Sequence, residues 1–172
     1  MVRVRLDLLR QEDGPEIIAA NRGARSHHVP FVSPCMDEEG FAKWLEVASG
    51  ASACSLIARR CADGALVGVF NLTQIARGNF QSAYLGYHGY PQTAGRGLMT
   101  EGMALLLRHT FCELGLHRVE ANIQPENLRS VALVRRAGFR REGFSPRYLK
   151  IDDAWRDHER WAITREDWTG PD

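Results

Sequence analysis

The segment Gln92-Thr93-Ala94-Gly95-Arg96-Gly97 is the part of this 172-residue chain best suited to holding a ligand. It falls between an expected strand and an expected helix. Glycines at 95 and 97 can take φ above zero and let a ligand approach the backbone. The free N–H groups of the next helical turn, at its positive dipole end, favour phosphate. Arg96 adds a cation beside them. The third glycine of a dinucleotide fingerprint and the Gly-Lys-Ser/Thr of a Walker loop are absent, so those two classes lose ground. A strand later, Pro125-Glu126-Asn127-Leu128-Arg129-Ser130 reads as a helix start capped by Asn127. Taken alone, the first segment is a tight turn and the second a cap. Taken together they mean more. If the strands before Gly95 and before Asn127 are parallel neighbours that splay apart, their ends leave unpaired backbone groups. An amide-rich ligand arm can pair with those groups while its pyrophosphate sits on the glycine turn.

The titratable candidates are scattered. His27 and His28 sit in RGARSHHVPFVSP, where Pro30 and Pro34 forbid a regular helix and the segment reads as a loop. His88 lies at a strand end, Glu120 inside a strand, and Asp157-His158 after an expected turn. Glu101 reads as structural, favourable to the helix dipole and slightly weakening the positive field at the turn. The four cysteines show no CxxC and no His partner at ligand spacing. They read as buried thiols in a reducing compartment, with no metal site.

Alternation places a strand over Val2, Val4 and Leu6, and Asp13-Gly14-Pro15 opens a first helix toward Asn21. Asp37-Glu38-Glu39 opens a second helix, whose apolar stripe Phe41, Trp44, Leu45 and Ala48 ends at Gly50. Strands over Cys54–Arg60, Leu66–Ile75 and Phe80–Tyr87, with turns at Asp63-Gly64 and Arg77-Gly78-Asn79, form an antiparallel meander. A long apolar helix runs from Leu98 to Leu114, followed by a strand His117–Ile123 and a helix Asn127–Ala137. Strands Arg147–Ile151 and His158–Thr164 close the chain around Asp152-Asp153-Ala154-Trp155. The fold class is mixed α/β, a mostly antiparallel sheet with one strand–helix–strand crossover and helices on both faces. Length and the lack of a linker or repeat predict one domain over residues 1–172. Lys and Arg number 22 against 21 Asp and Glu, a formal charge of +1, so no global field attracts nucleic acid or membrane. The N-terminus lacks a signal h-region and no apolar run spans a bilayer, which predicts a cytoplasmic protein.

Gln92-x-x-Gly95-x-Gly97 resembles the coenzyme A loop of the GNAT superfamily of N-acetyltransferases. Pro125-x-Asn127-x-x-Ser130, Ala137-Gly138-Phe139, Glu142-Gly143-Phe144 and Asp152-Asp153-Ala154-Trp155-Arg156-Asp157-His158 resemble its RimJ/RimL-type, ribosomal-protein-alanine branch. The resemblance implies the GNAT fold with a parallel splayed strand pair. It also implies acetyl-CoA as donor and direct transfer to an N-terminal α-amine through a tetrahedral intermediate.

By the same resemblance, backbone at Tyr87, His88 and Gly89 pairs with the pantetheine arm. Gln92, Thr93, Ala94, Gly95, Arg96 and Gly97, with Leu98 and Met99, hold the pyrophosphate. Asn127 bonds a pantetheine amide, and Ser130 sits near the sulfur as a proton donor to the thiolate. From the residues themselves, Arg135 is a candidate for the adenosine 3′-phosphate, its other reading being a solvated face. Asp157 and His158 are the first candidates for base or water relay on the acceptor side, with His27, His28, His88 and Glu120 as the others, and His27, His28, Phe31, Asn71 and Tyr84 are candidates for acceptor contact. An α-amine, with pKa about 7.7–8.0, is roughly one-quarter neutral at pH 7.4, against about 0.1% for a lysine, so such an acceptor needs little help from a base. The implied partner is a protein or peptide N-terminus, for instance of a ribosomal protein, with the enzyme a monomer or homodimer. The alternatives are acetylation of a small amine (antibiotic, polyamine or amino acid) and CoA binding without turnover.

Overall fold

The computed structural model describes residues 2–170. Seven strands form one sheet in the order β1-β2-β3-β4-β5-β7-β6. They are β1 (Val4–Leu8), β2 (Cys54–Arg60), β3 (Leu66–Ala76), β4 (Ser82–Gly89), β5 (Arg118–Ile123), β6 (Arg140–Ile151) and β7 (Ala154–Thr164). All neighbours are antiparallel except β4 and β5, which run parallel. The connection from β4 to β5 is the expected helical crossover.

Helices cover both faces. On one, α1 (Gly14–Gly23) and α3 (Glu38–Ala48) bury Ile17, Ile18 and Phe41 against Ile57, Val69 and Tyr90. Asp37 starts α3 as its N-cap, accepting the Gly40 N–H at 2.8 Å, at the helix opening expected for Asp37-Glu38-Glu39. On the other face, α4 (Leu98–Arg108) and α5 (Leu128–Arg136) bury Met103, Leu106, Val131 and Val134 against Phe70, Leu72, Leu85 and Val119. A Cβ at Gly102 would come within 2.9 Å of the Phe70 ring, so α4 sits on β3 at a distance only glycine permits.

The structure departs from the sequence expectations in four places. The segment before Pro30 is not all loop, because Arg25–His28 closes one helical turn, α2, with Val29 N–H on the Arg25 carbonyl at 3.0 Å. Pro30 holds the residue before it, Val29, extended, so the turn closes at His28 and goes no further. The long helix is regular to Arg108 and then widens to a π-type turn over His109–Glu113, where Leu114 N–H reaches the His109 carbonyl at 2.9 Å. The last two strands are longer than expected. Asp152 and Asp153, with φ of 47° and 61°, make a two-residue turn that leaves Ala154 and Trp155 inside β7. Among the thiols, Cys54 is buried and Cys35 half-buried, but Cys61 and Cys112 are exposed.

Candidate active site

The parallel ladder is short. It pairs Ser82 with Arg118, Ala83 with Val119 and Tyr84 with Glu120, and beyond these β4 and β5 part. Tyr90 N–H on the Val67 carbonyl, at 3.2 Å, fixes the phase of the β3–β4 ladder. In that phase His88 exchanges backbone bonds with Val69. Tyr87 and Gly89, opposite Phe70 and Gly68, turn theirs toward the opening. This corrects one expectation: the His88 backbone belongs to the ladder and is not free for a pantetheine arm. The Gly89 carbonyl is also taken, by His28 Nε2 at 2.9 Å. Tyr87 N–H and C=O and Gly89 N–H remain.

At the end of β4 the glycine turn has the expected shape, with φ of 74° at both Gly95 and Gly97. From Gly95 through Met99 no backbone N–H has a backbone acceptor among the described residues, while Thr100 and Glu101 N–H return to the Gly97 carbonyl. Consecutive free N–H groups at a helix start form a concave anion site. Thr93 is buried with its hydroxyl on the Leu66 and Tyr90 carbonyls at 3.2 Å, so its side chain anchors the turn. Arg3 pairs with Glu101 and donates to the Arg96 carbonyl at 3.2 Å. Arg3 therefore offsets the negative charge that Glu101 brings to the turn. Only its position in space reveals this, since 98 residues separate the pair.

Across the opening, Asn127 Oδ1 accepts Ser130 N–H at 3.2 Å and caps α5, leaving its NH2 to donate. The Tyr87 hydroxyl donates to the Ser130 carbonyl at 3.2 Å. Burial pushes that phenol well above its usual range, so it stays protonated. Next along α5, Arg129 Nη1 lies 3.2 Å from His27 Nδ1. Partial burial, then Arg129 and His28, lower the His27 pKa.

The face opposite α4 and α5 carries the histidines. His28 is 3% exposed, and its ring stands edge-on to His88 at 4.8 Å between centroids. Burial, reinforced by His28, brings His88 down to about 3. The strap from His28 to Ser33 is tied at three points, to Gly89 through His28, to the β6–β7 turn through Ser33 and Asp152, and to the residue that follows β5, Gln124. Buried Gln124 donates to the Pro30 carbonyl at 3.1 Å. Phe31 is the wall between two clefts. One, about 450 Å³, is lined by His27, Val29, Pro91 and Arg129; the other, about 370 Å³, by Gln124, Glu126, Trp155, Arg156 and Asp157.

The remaining candidates are tied into the framework, Asp157 at the edge of the second cleft. Asp157 and His158 do not form a pair, because successive strand residues point to opposite faces. Pro146 interrupts the β6 ladder, and Asp157 Oδ1 takes the stranded Arg147 N–H at 2.7 Å. His158 Nδ1 donates to the Arg156 carbonyl at 2.9 Å, and burial lowers its pKa. Asn71 Oδ1 is consumed by Trp44 Nε1 at 3.1 Å and the Ser55 hydroxyl at 2.7 Å, a bond set between α3 and the sheet. Tyr84 lies beside Glu120 at the last paired rung, its phenol raised by burial and then by Glu120. The Arg135 guanidinium stacks 5.3 Å from the centre of the Trp161 ring, on β7.

Compared with known proteins, residues 3–140 match the acetyltransferase (GNAT) domain model, and the chain belongs to that family. It is 41% identical to the probable N-acetyltransferase YjcK of Bacillus subtilis, over 61% of this chain and 58% of that one. It is also 41% identical to the [ribosomal protein uS5]-alanine N-acetyltransferase of Escherichia coli, over 60% and 54%. The matches thus span little more than half the length of these curated relatives. Among solved structures, Mycobacterium smegmatis RimJ in complex with CoA-disulfide superposes with a TM-score of 0.82 at 31% identity, covering 95% of this chain and 82% of that one. The Vibrio cholerae spermidine N-acetyltransferase in complex with CoA and spermine shares the fold, with a TM-score of 0.82 at 20% identity over 96% and 97%.

Proposed function

We propose that the protein transfers the acetyl group of acetyl-CoA to the N-terminal α-amine of a protein or peptide, such as a ribosomal protein. The observation that carries the reading is the opening between β4 and β5 beyond Tyr84 and Glu120, continuous with the free N–H groups of Gly95 through Met99. The residues present fit the donor. Oriented backbone N–H groups and Arg96 suit a pyrophosphate, and Tyr87 and Gly89 offer backbone groups to an amide-bearing arm. When bound, acetyl-CoA supplies the thioester carbonyl that the amine attacks. Asn127 NH2 donates to the arm, and Ser130 returns a proton to the departing thiolate.

The acceptor class follows from charge. Glu120, the carboxylate nearest the last rung, is bonded to Arg118 at 2.9 Å, and Arg118 also holds Glu142. The cleft beside His27 contains Arg129 and no carboxylate. A polycation would find little negative charge in that cleft, and the adjoining one sets Glu126 and Asp157 beside Arg156, with Asp157 already accepting Arg147 N–H, whereas a single α-amine, already partly neutral at pH 7.4, needs none. The relatives named for alanine acetylation agree with this reading.

The test is to incubate the pure protein with acetyl-CoA and a panel of Ala-, Ser- and Met-starting peptides plus spermidine, following thiol release. Release with an N-terminal peptide is expected. Release with spermidine alone would transfer the reading to small amines, and CoA binding without release to any acceptor would make the protein a binding module.

A further inference from the structure

The proton positions along Asn21, Tyr90 and His88 follow from one backbone carbonyl. Asn21 Nδ2 lies 2.9 Å from the Cys35 carbonyl, which can only accept, so the amide NH2 faces Cys35 and Oδ1 faces Tyr90. The Tyr90 hydroxyl therefore donates to Asn21 Oδ1, at 2.9 Å, and its one proton is spent. His88 Nε2 stands 3.4 Å from the same hydroxyl oxygen and must carry the hydrogen. His88 Nδ1 is left with its lone pair and has no partner among the described residues. Asn21 and Tyr90 are 1% and 2% exposed, so water does not compete for these bonds. His28 repeats the pattern: Nε2 donates to the Gly89 carbonyl and Nδ1 is a buried acceptor without a partner among the described residues.

The location is informative too. Tyr87 and His88 are successive on β4 and point to opposite faces. Tyr87 reaches the Ser130 carbonyl, so His88 lies on the other face of the sheet, against His28 of α2, whose neighbour His27 lines the first cleft.

We propose that His88 Nδ1 accepts a hydrogen bond from the N–H of the acceptor amine and so aims the nitrogen lone pair at the thioester, with Asn21 and Tyr90 as positioning residues that hold this tautomer. The inference rests on the acetyl-transfer reading above. His88 takes no proton. The amine lone pair forms the C–N bond, the C–S bond breaks with its electron pair on sulfur, and the surplus proton on nitrogen leaves to water. Burial keeps the imidazole neutral, which suits an acceptor that never becomes a cation. The titratable groups around the chain are His27 and His28 from α2, Cys35 from the loop before α3, and, beyond Tyr90, Glu16 of α1 paired with Arg59 of β2, which also holds Asp13.

Nitrogen-15 NMR of the histidine rings in the free protein tests the tautomer without reference to activity. Wild type is expected to show His88 as neutral imidazole protonated on Nε2 from pH 5 to 8. In Tyr90→Phe, which keeps the ring, the tautomers should mix. Its kcat with an Ala-starting peptide should fall about tenfold, the loss of roughly one hydrogen bond, with KM for acetyl-CoA unchanged. An Nδ1-protonated or cationic His88 in wild type at pH 7 overturns the inference while leaving acetyl transfer intact, as does an unchanged kcat in Tyr90→Phe. Absence of transfer to any amine by wild type overturns the acetyl-transfer reading, and the amine contact with it, whatever the tautomer.

Discussion

The Tyr87 hydroxyl donates to the backbone carbonyl of Ser130, tying β4 to the first turn of α5 across the opening where the two parallel strands have parted. No backbone ladder joins the sheet there, so this side-chain bond does part of its work. Tyr87→Phe keeps the packing on Phe70 and removes the bond. We expect a stability loss of about 1 kcal/mol in urea unfolding. A variant as stable as wild type would show that the bond does not brace the opening.

Asn127 has two roles that one pair of substitutions separates. Asn127→Ala removes the cap and should cost about 1 kcal/mol of stability. Asn127→Asp keeps an oxygen for Ser130 N–H but loses the NH2. It should remain close to wild type in stability and bind acetyl-CoA more weakly by titration calorimetry. Equal affinity in Asn127→Asp would assign the residue to capping alone.

Met99, in the first turn of α4, packs over Gly68 and Gly89. A Cβ at Gly68 would also stand 2.6 Å from the His88 carbonyl oxygen, which is backbone and cannot swing aside, whereas at Gly89 the nearest atom is Met99 Cγ at 3.2 Å. Gly68→Ala should therefore destabilise by about 1–3 kcal/mol and Gly89→Ala by clearly less, measured by thermal unfolding. The reverse order would contradict this packing.

Acid should weaken the fold before the carboxylates titrate. His88 is held down to about 3, and burial lowers His158 and His27 as well. Between those values and the unfolded pKa of about 6.5, the unfolded chain binds more protons than the folded one, so stability falls as pH falls. The full contribution is present above about pH 6.5. His88 alone gives a slope of about 1.4 kcal/mol per pH unit below it. Urea unfolding at pH 7, 6 and 5 should show the decline, and His88→Asn should flatten it. A level profile across that range would mean that His88 is protonated in the folded protein.

Local signals carried much of this from the sequence. The Asp37 and Asn127 caps, the positive φ of Gly95 and Gly97 and the Asp63-Gly64 turn depend on adjacent residues, and each formed where the pattern put it. The parting of β4 and β5 was legible only through the family resemblance and the pairing of two segments. What stayed hidden depends on distance in the chain. Arg3 finds Glu101, Tyr90 finds Asn21 and Gln124 finds Pro30, none with a pattern around it. Asp157 misled because adjacency to His158 looked like a pair, while the pleat sends the two apart and the bulge at Pro146 claims the carboxylate.

The most direct test of acetyl transfer to an N-terminal amine uses one peptide that begins with alanine and contains an internal lysine. After incubation with the protein and acetyl-CoA, fragmentation mass spectrometry locates the added acetyl group. A single acetyl on the alanine α-amine with the lysine unmodified is expected. Acetyl on the lysine side chain, or none on the peptide while spermidine is acetylated, would contradict it.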